Sequence, residues 1–208
     1  MSARVLRGVD LRSSGVGPVV ATAALLAANL ALTPGFLGAA MVWSIIIQAV
    51  TTILVGLGMT LVIATGGIDL SVGSVMAVAS AVAVTILPHG VFAAVASGLA
   101  VAVAVGAANG LLVARFGILP IVVTLAMLII GRGVAQLIAA DNPLVIFTDE
   151  AFEWAGKGLV AGVPAQAILA AGAALAAALL VRATALGRHV VAVGANERAA
   201  RLAGVKVT

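Results

Sequence analysis

The stretch LVIATGGIDLSVGSV, residues 61–75, carries the first charged side chain after a long tract without any. No Asp, Glu, Lys or Arg lies between Arg12 and Asp69. Gly66 and Gly67 interrupt a helix, because glycine loses the most backbone freedom when it is ordered. Asp69 and Ser71 are both N-cap residue types, whose side-chain oxygens accept the unpaired N–H groups of a helix start. A carboxylate also suits the positive end of the helix dipole. The stretch therefore reads as helix, break, cap, helix, with Gly66, Gly67, Asp69 and Ser71 forming the break and cap.

Around this break the chain is apolar throughout. Of its 208 residues 63% are hydrophobic and 9% charged, against roughly 45–50% and about 25% in soluble domains. So few charges do not cover the surface of a water-soluble domain. Continuous Ala, Leu, Val, Ile and Gly runs recur at the roughly 17–25 residues that span a bilayer. They lack the alternating polarity of barrel strands. The fold class is all-α, a polytopic helical bundle of about six transmembrane helices in the inner membrane.

Six spans are expected: Val16–Leu32, Val42–Ala64, Leu70–Leu87, Val91–Ala114, Phe116–Ala140 and Pro164–Val181. Thr33-Pro34-Gly35 and Pro88-His89-Gly90 supply turn signals between them, and Arg115 marks the end of the fourth. Bases collect at the ends of the chain, with Arg4, Arg7 and Arg12 at one and Arg182, Arg188, Arg198, Arg201 and Lys206 at the other. Asp141, Asp149, Glu150 and Glu153 share a single polar loop with Lys157. Basic loops stay in the cytoplasm, so both ends are expected inside and the acidic loop outside. An even number of crossings agrees. The expected organisation is a cytoplasmic segment over 1–15, a partial permease domain over 16–181 and a cytoplasmic loop over 182–208. The net charge of +4 follows from this orientation and implies no nucleic acid partner. Membrane lipid is the solvent of the spans.

GMTLVIATGGIDLSVGSVMAVA (58–79) strongly resembles the signature of sugar-importing ABC permeases of the ribose, xylose and galactofuranose type. The resemblance continues through AANGLLVARFGILPIVVTLAMLIIGRGVAQLI (107–138) and TALGRHVVAVGANERAARLAGV (184–205). VIATGGIDLSVG and GRGVAQLI look closest to the galactofuranose-type permease. The resemblance implies a subunit that passes a monosaccharide across the inner membrane. It also implies a separate ABC ATPase subunit that hydrolyses ATP, a periplasmic sugar-binding protein, and a second permease subunit in a homo- or heterodimer. Family members are longer, with more spans after the basic loop, so a C-terminally truncated or partial permease is expected.

Glu197-Arg-Ala-Ala-Arg-Leu-Ala-Gly204 has the form ExAAxxxG and resembles the loop by which such permeases dock into their ATPase. Its residues fit that role chemically. Asn196 caps a short helix, Glu197 occupies the first turn and Gly204 stops it. Ala199, Ala200, Leu202 and Ala203 offer small apolar contacts. Arg198 and Arg201, three residues apart, are expected on one face to meet an acidic rim. Arg188 lies upstream in the same basic segment.

Four polar side chains in or beside the spans are candidates for the substrate pathway: Asp69, Asn109, Arg132 and Gln136. Each has a plain structural alternative. Asp69 caps a helix, and Asn109 and Gln136 link helices. Arg132, counted from Phe116, lies near the outer boundary, where its stem snorkels. Gly106 and Gly110 form a GxxxG, a spacing that lets helix backbones approach. No catalytic set is present: no Cys, no G-x-S-x-G, no H-E-x-x-H and no GxxxxGK[ST]. No metal site or bound cofactor is expected, and ATP belongs to the partner subunit. An ion-coupled secondary carrier using Asp69 at a broken helix and a non-transporting permease fragment are the alternatives.

Overall fold

Long apolar runs with few competing polar groups become helices here because each backbone N–H then finds its partner four residues back, as a bilayer demands. The computed structural model describes residues 16–140, 150–205 and 207. The long helices are α1 (Val16–Leu32), α2 (Ala39–Ala64), α3 (Val72–Ile86), α4 (Val91–Phe116) and α5 (Pro120–Ala140). A 3-10 turn, Leu87–His89, follows α3. After them come α6 (Glu150–Lys157), a two-stranded hairpin of β1 (Leu159–Val160) and β2 (Val163–Pro164), then α7 (Ala165–Ala183), α8 (Ala185–Ala195) and α9 (Glu197–Leu202).

Five helical segments among the described residues are long and apolar enough to cross a membrane: α2, α3 with its 3-10 turn, α4, α5 and α7. Their mean hydropathy is 1.7–2.2. The first expected span, α1, has the predicted bounds and 17 residues, or about 25 Å. The all-α polytopic bundle is therefore observed.

Two compact units divide the chain, residues 1–46 and 47–208. The first contains α1 and the opening turns of α2. Its polar Asn29 is satisfied within the helix, donating from Nδ2 to the Leu25 carbonyl at 2.9 Å. Thr60 and Thr85 do the same in α2 and α3, at 2.7 and 2.9 Å to the carbonyls four residues back. Such side chains place a donor on their own helix rather than leaving it wholly unpaired in lipid.

The second unit is built on α3, which packs against both α4 and α5. Ser71, just before α3, meets Asn109, whereas Ala79 meets Gly98, so α4 runs antiparallel to α3. Ile68 meets Thr124 and Ser74 meets Met127, so α5 runs parallel to α3. Consecutive spans thus alternate in direction, as crossings must.

Three sequence expectations shift. The fifth helix begins at Pro120, not Phe116, because Gly117 takes φ +67° and proline is favoured at a first helical position. Arg115 lies within the last turn of α4 rather than ending it. The loop before α7 is partly structured: α6 is held by a Lys157–Glu153 ion pair of 2.9 Å. Ala161 and Gly162, both at positive φ, form the tight turn of the hairpin. Asp141 and Asp149 lie outside the described residues.

Candidate functional site

The break after α2 is a complete helix stop. Gly66, at φ +83°, occupies the left-handed position that side chains disfavour. The Gly67 N–H bonds the Val62 carbonyl at 3.2 Å and the Gly66 N–H bonds Ile63 at 2.9 Å, the two bonds of a Schellman motif. Thr65 Oγ1 adds a third donor to the Val62 carbonyl at 2.7 Å.

Asp69 then organises the start of α3, but not as a standard cap. Its Oδ1 accepts the Ser71 N–H at 2.7 Å and the Ser71 hydroxyl at 2.6 Å. Ser71 occupies the N-cap position, yet its side chain makes no capping bond. Its hydroxyl oxygen instead accepts Asn109 Nδ2 of α4 at 3.1 Å. The result is a directional chain, amide to hydroxyl to carboxylate, in which the carboxylate fixes the hydroxyl proton. Ser71 is 1% and Asn109 6% exposed. Asn109 Oδ1 is buried without a hydrogen-bond partner.

Two further hydroxyls bind the break to α5. Thr124 Oγ1 donates to the Ile68 carbonyl at 3.3 Å and to Pro120 at 2.9 Å. Ser74 Oγ donates to the Ser71 carbonyl at 2.8 Å and to Met127 of α5 at 3.2 Å. Gly131 permits that approach, since a Cβ there would lie 3.0 Å from the Ser74 side chain. Gly98 plays the same part against the Ala79 carbonyl, at 3.1 Å. A Cβ added at Gly106 or Gly110 would meet no neighbouring element within 4 Å, so the GxxxG mediates no close approach among the described residues. Asn109 lies seven residues before the end of α4, about 10 Å along it. The break is therefore tied to α4 about 10 Å from that helix's end, with Ser71 buried while Gly66, Ile68 and Leu70 stay exposed.

The α8–α9 segment lies against the same break. Thr184 turns the chain from α7 into α8, its Oγ1 accepting the Gly187 N–H at 3.2 Å. Gly194, near the end of α8, sits so close to the Ala64 carbonyl that an added Cβ would collide with it. Asn196 caps α9, its Oδ1 accepting the Ala199 N–H at 3.0 Å. Gly204, at φ +83°, ends α9 with the same pair of bonds as Gly66: Val205 N–H to Ala200 and Gly204 N–H to Arg201, both 3.0 Å. A cavity of about 600 Å³ lies between these helices and the α4–α5 turn, with Thr65, His189, Glu197 and Arg201 in its wall.

Two expectations for this segment are corrected. Arg201 is paired with Glu197 at 2.8 Å, one turn back on the helix, so Arg198 and Arg201 do not form a free pair. Ala200 is 5% exposed and packs within the chain, whereas Leu202 is 91% exposed. The apolar side chains that α9 presents outward are Leu202 and the smaller Ala199. Ala199, Arg198 and Arg188 are exposed.

Arg132 and Gln136 lie on α5, exposed and one turn apart. With α5 starting at Pro120, Arg132 stands about 18 Å along it, deeper than a start at Phe116 implied. Among the described residues no cluster of His, Cys, Asp and Glu is arranged to hold a metal. Ser74, Thr124, Gly131 and Gly194 were not singled out from sequence. The only local signal at these positions was a small or hydroxyl residue in an apolar run.

Residues 41–208 match the family model described as "Branched-chain amino acid transport system / permease component". The chain is 41% identical over 159 residues to the fructose import permease protein FruF of Bifidobacterium longum, covering 74% of this chain and 45% of that protein. It is 45% identical over 160 residues to the galactofuranose transporter permease protein YtfT of Escherichia coli, covering 76% and 47%. It is 38% identical over 194 residues to the ribose import permease protein RbsC of Escherichia coli, covering 91% and 60%. The chain thus spans about half the length of the curated relatives it matches. No solved structure gives a significant match.

Proposed function

This chain belongs to the family of transport-system permease components, and from that premise we propose that it is the membrane permease of a binding-protein-dependent ABC importer for a monosaccharide. The family description mentions branched-chain amino acids, but relatives at 38–45% identity carry fructose, galactofuranose and ribose in their names. They support a sugar as the substrate class. ATP is hydrolysed on a separate ATPase subunit, a periplasmic binding protein delivers the sugar, and a second permease subunit completes the passage. The protein resides in the inner membrane, with the N-terminus, the α2–α3 break and α8–α9 on the cytoplasmic side.

The observation that carries this reading is the seating of α8–α9 on the break. A capped helix of six residues, preceded by Gly194 against Ala64, forms a rigid plate at a helix interruption. The interruption is in turn bonded to α4 and α5 through Asn109, Thr124 and Ser74. An ATPase that moved this plate would move α2, α3, α4 and α5 together. That linkage is what an importer powered by another chain requires.

Reconstitution of a full-length permease with its ATPase and binding protein tests the proposal. ATP-dependent uptake of labelled ribose, fructose or galactofuranose is expected, unaffected by an uncoupler. Uptake of leucine in place of sugars would move the substrate class, and uptake that collapses with the ion gradient would remove the ATP-driven mechanism.

A further inference from the structure

Arg132 and Gln136 are the polar side chains of α5 that helix packing leaves unused. Neither has a hydrogen bond or ion pair among the described residues, and both are exposed. Thr124, Gly131 and Ala135 form the face of α5 that meets α3, through Ile68, Ser74 and their neighbours. Residues 132 and 136 each follow that face by one position, about 100° around the helix. The exposed apolar residues Ile130 and Val134 precede that face by one position and flank it on the opposite side, while exposed Leu125 and Ile129 share the stripe of Arg132 and Gln136.

Depth excludes a comfortable lipid position for Arg132. Its Cα is about 18 Å from the start of α5 and about 12 Å from its end at Ala140, within a hydrocarbon core of about 30 Å. The nearer boundary lies toward the C-terminal end. Cα–Cβ bonds tilt toward the helix N-terminus, so the side chain sets out toward the middle of the membrane. An ionised side chain at this depth faces protein or a water-filled cavity rather than lipid. No carboxylate occurs in the described part of α3, α4, α5 or α7 to neutralise it.

We infer that Arg132 and Gln136 line a water-filled passage beside α5 and bind a neutral polyhydroxylated solute inside the membrane. The inference rests on the permease reading and names the side chains that touch the cargo. Guanidinium supplies a planar fork of donors, while the amide one turn away both donates and accepts. Adjacent sugar hydroxyls also donate and accept, so the pair matches two neighbouring hydroxyls. An anionic solute would be held by Arg132 and leave the amide idle. The guanidinium fork also fits this task better than an ammonium point charge.

The chain contains no cysteine, which makes the passage directly testable in a full-length permease assembled with its ATPase and binding protein. Arg132→Cys and Gln136→Cys are expected to react with a small charged thiosulfonate at least about tenfold faster than Ile130→Cys and Val134→Cys, since such reagents need water around the thiol. The transported sugar should slow both reactions. Separately, Arg132→Lys and Gln136→Leu should each cut sugar uptake by about tenfold, the loss of one good hydrogen-bonded contact to a charged or buried group. Assembly of both variants with the ATPase should be retained. Equal reactivity at all four positions would overturn the passage, and rapid labelling without slowing by the sugar would overturn the ligand. Disassembly of the Arg132→Lys complex would place Arg132 in a protein contact and also overturn the inference. A wild-type complex that imports no sugar removes the permease reading, whereas unreactive cysteines in an active complex remove this inference alone.

Discussion

Gly194 lies against the main-chain carbonyl of Ala64, so that the end of α8 rests on the end of α2 with no side chain between them. Backbone cannot retreat as a flexible side chain can, so any Cβ at 194 must lift α8 from the break. Gly194→Val is expected to leave the spans inserted but to separate the α8–α9 plate from α2. In the assembled importer, sugar uptake should fall by about tenfold, while ATP turnover continues without stimulation by the loaded binding protein. Normal stimulated uptake in this variant would show that the contact carries no motion.

Asp69 accepts two hydrogen bonds from one residue, and both are short. Charge-assisted bonds of this kind contribute about 1.5–3 kcal/mol each, more than the single cap that sequence reasoning assigned. Asp69→Leu should therefore lower the stability of the permease by about 3 kcal/mol. Asp69→Asn retains an acceptor and should lose about 1 kcal/mol. Thermal unfolding in detergent measures both. Equal midpoints for the two variants would mean that the second bond contributes nothing.

Asn109→Leu removes the donor to Ser71 and the buried Oδ1 that has no partner. These changes oppose each other: a bond worth about 1 kcal/mol is lost, and an unsatisfied acceptor costing about 1–3 kcal/mol disappears with it. The expected outcome is a variant no less stable than the parent but impaired in transport, because α4 is no longer tied to the break. A large loss of stability would show that Asn109 Oδ1 has a donor in the assembled transporter.

Most of the helical architecture was legible because hydropathy and length decide it: α1 has the predicted ends, and α2 differs at its start alone. The start of α5 was misplaced because Phe116-Gly-Ile-Leu-Pro120 is apolar across the gap, so only Gly117 and Pro120 marked it. Asp69, Ser71 and Asn109 were each visible as polar residues among apolar ones. Their mutual bonding was not, since Asn109 reaches Ser71 across 38 residues and Thr124 reaches Ile68 across 56. Gly194 and Gly131 matter through the backbone or side chain opposite them, which no local pattern encodes. α9 was legible as a capped helix with Ala199, Leu202 and Ala203 outward, but the burial of Ala200 was not, because six residues make too few turns for an apolar stripe to stand out.

The orientation proposed from charge bias is checked with single cysteines in this cysteine-free chain. Lys157→Cys is expected to react with an impermeant thiol reagent in intact cells, and Arg198→Cys only after permeabilisation. The reverse pattern would invert the topology and remove α9 from reach of a cytoplasmic ATPase.

The last expectation concerns where that ATPase would grip. Ala200 is packed inside the chain, while Leu202 stands 91% exposed at the end of α9. Ala200→Glu would bury an unpaired charge in the permease itself, so failure of that variant reports on folding and not on docking. Leu202→Glu is the informative change. An exposed leucine inserted into a partner groove contributes about 2 kcal/mol, and a carboxylate in its place adds the penalty of a desolvated charge. Co-purification of the full-length permease with its ATPase should therefore fall by well over about tenfold in Leu202→Glu. Arg198→Ala should act mildly, changing the salt dependence of assembly more than its extent, as rim charges do. Breaking the exposed Glu197–Arg201 pair should cost at most about 0.5 kcal/mol of α9 stability, leaving the cap and the glycine stop to hold the helix. Undiminished co-purification of Leu202→Glu, with normal sugar-stimulated ATP turnover, would place the docking contact elsewhere on the chain.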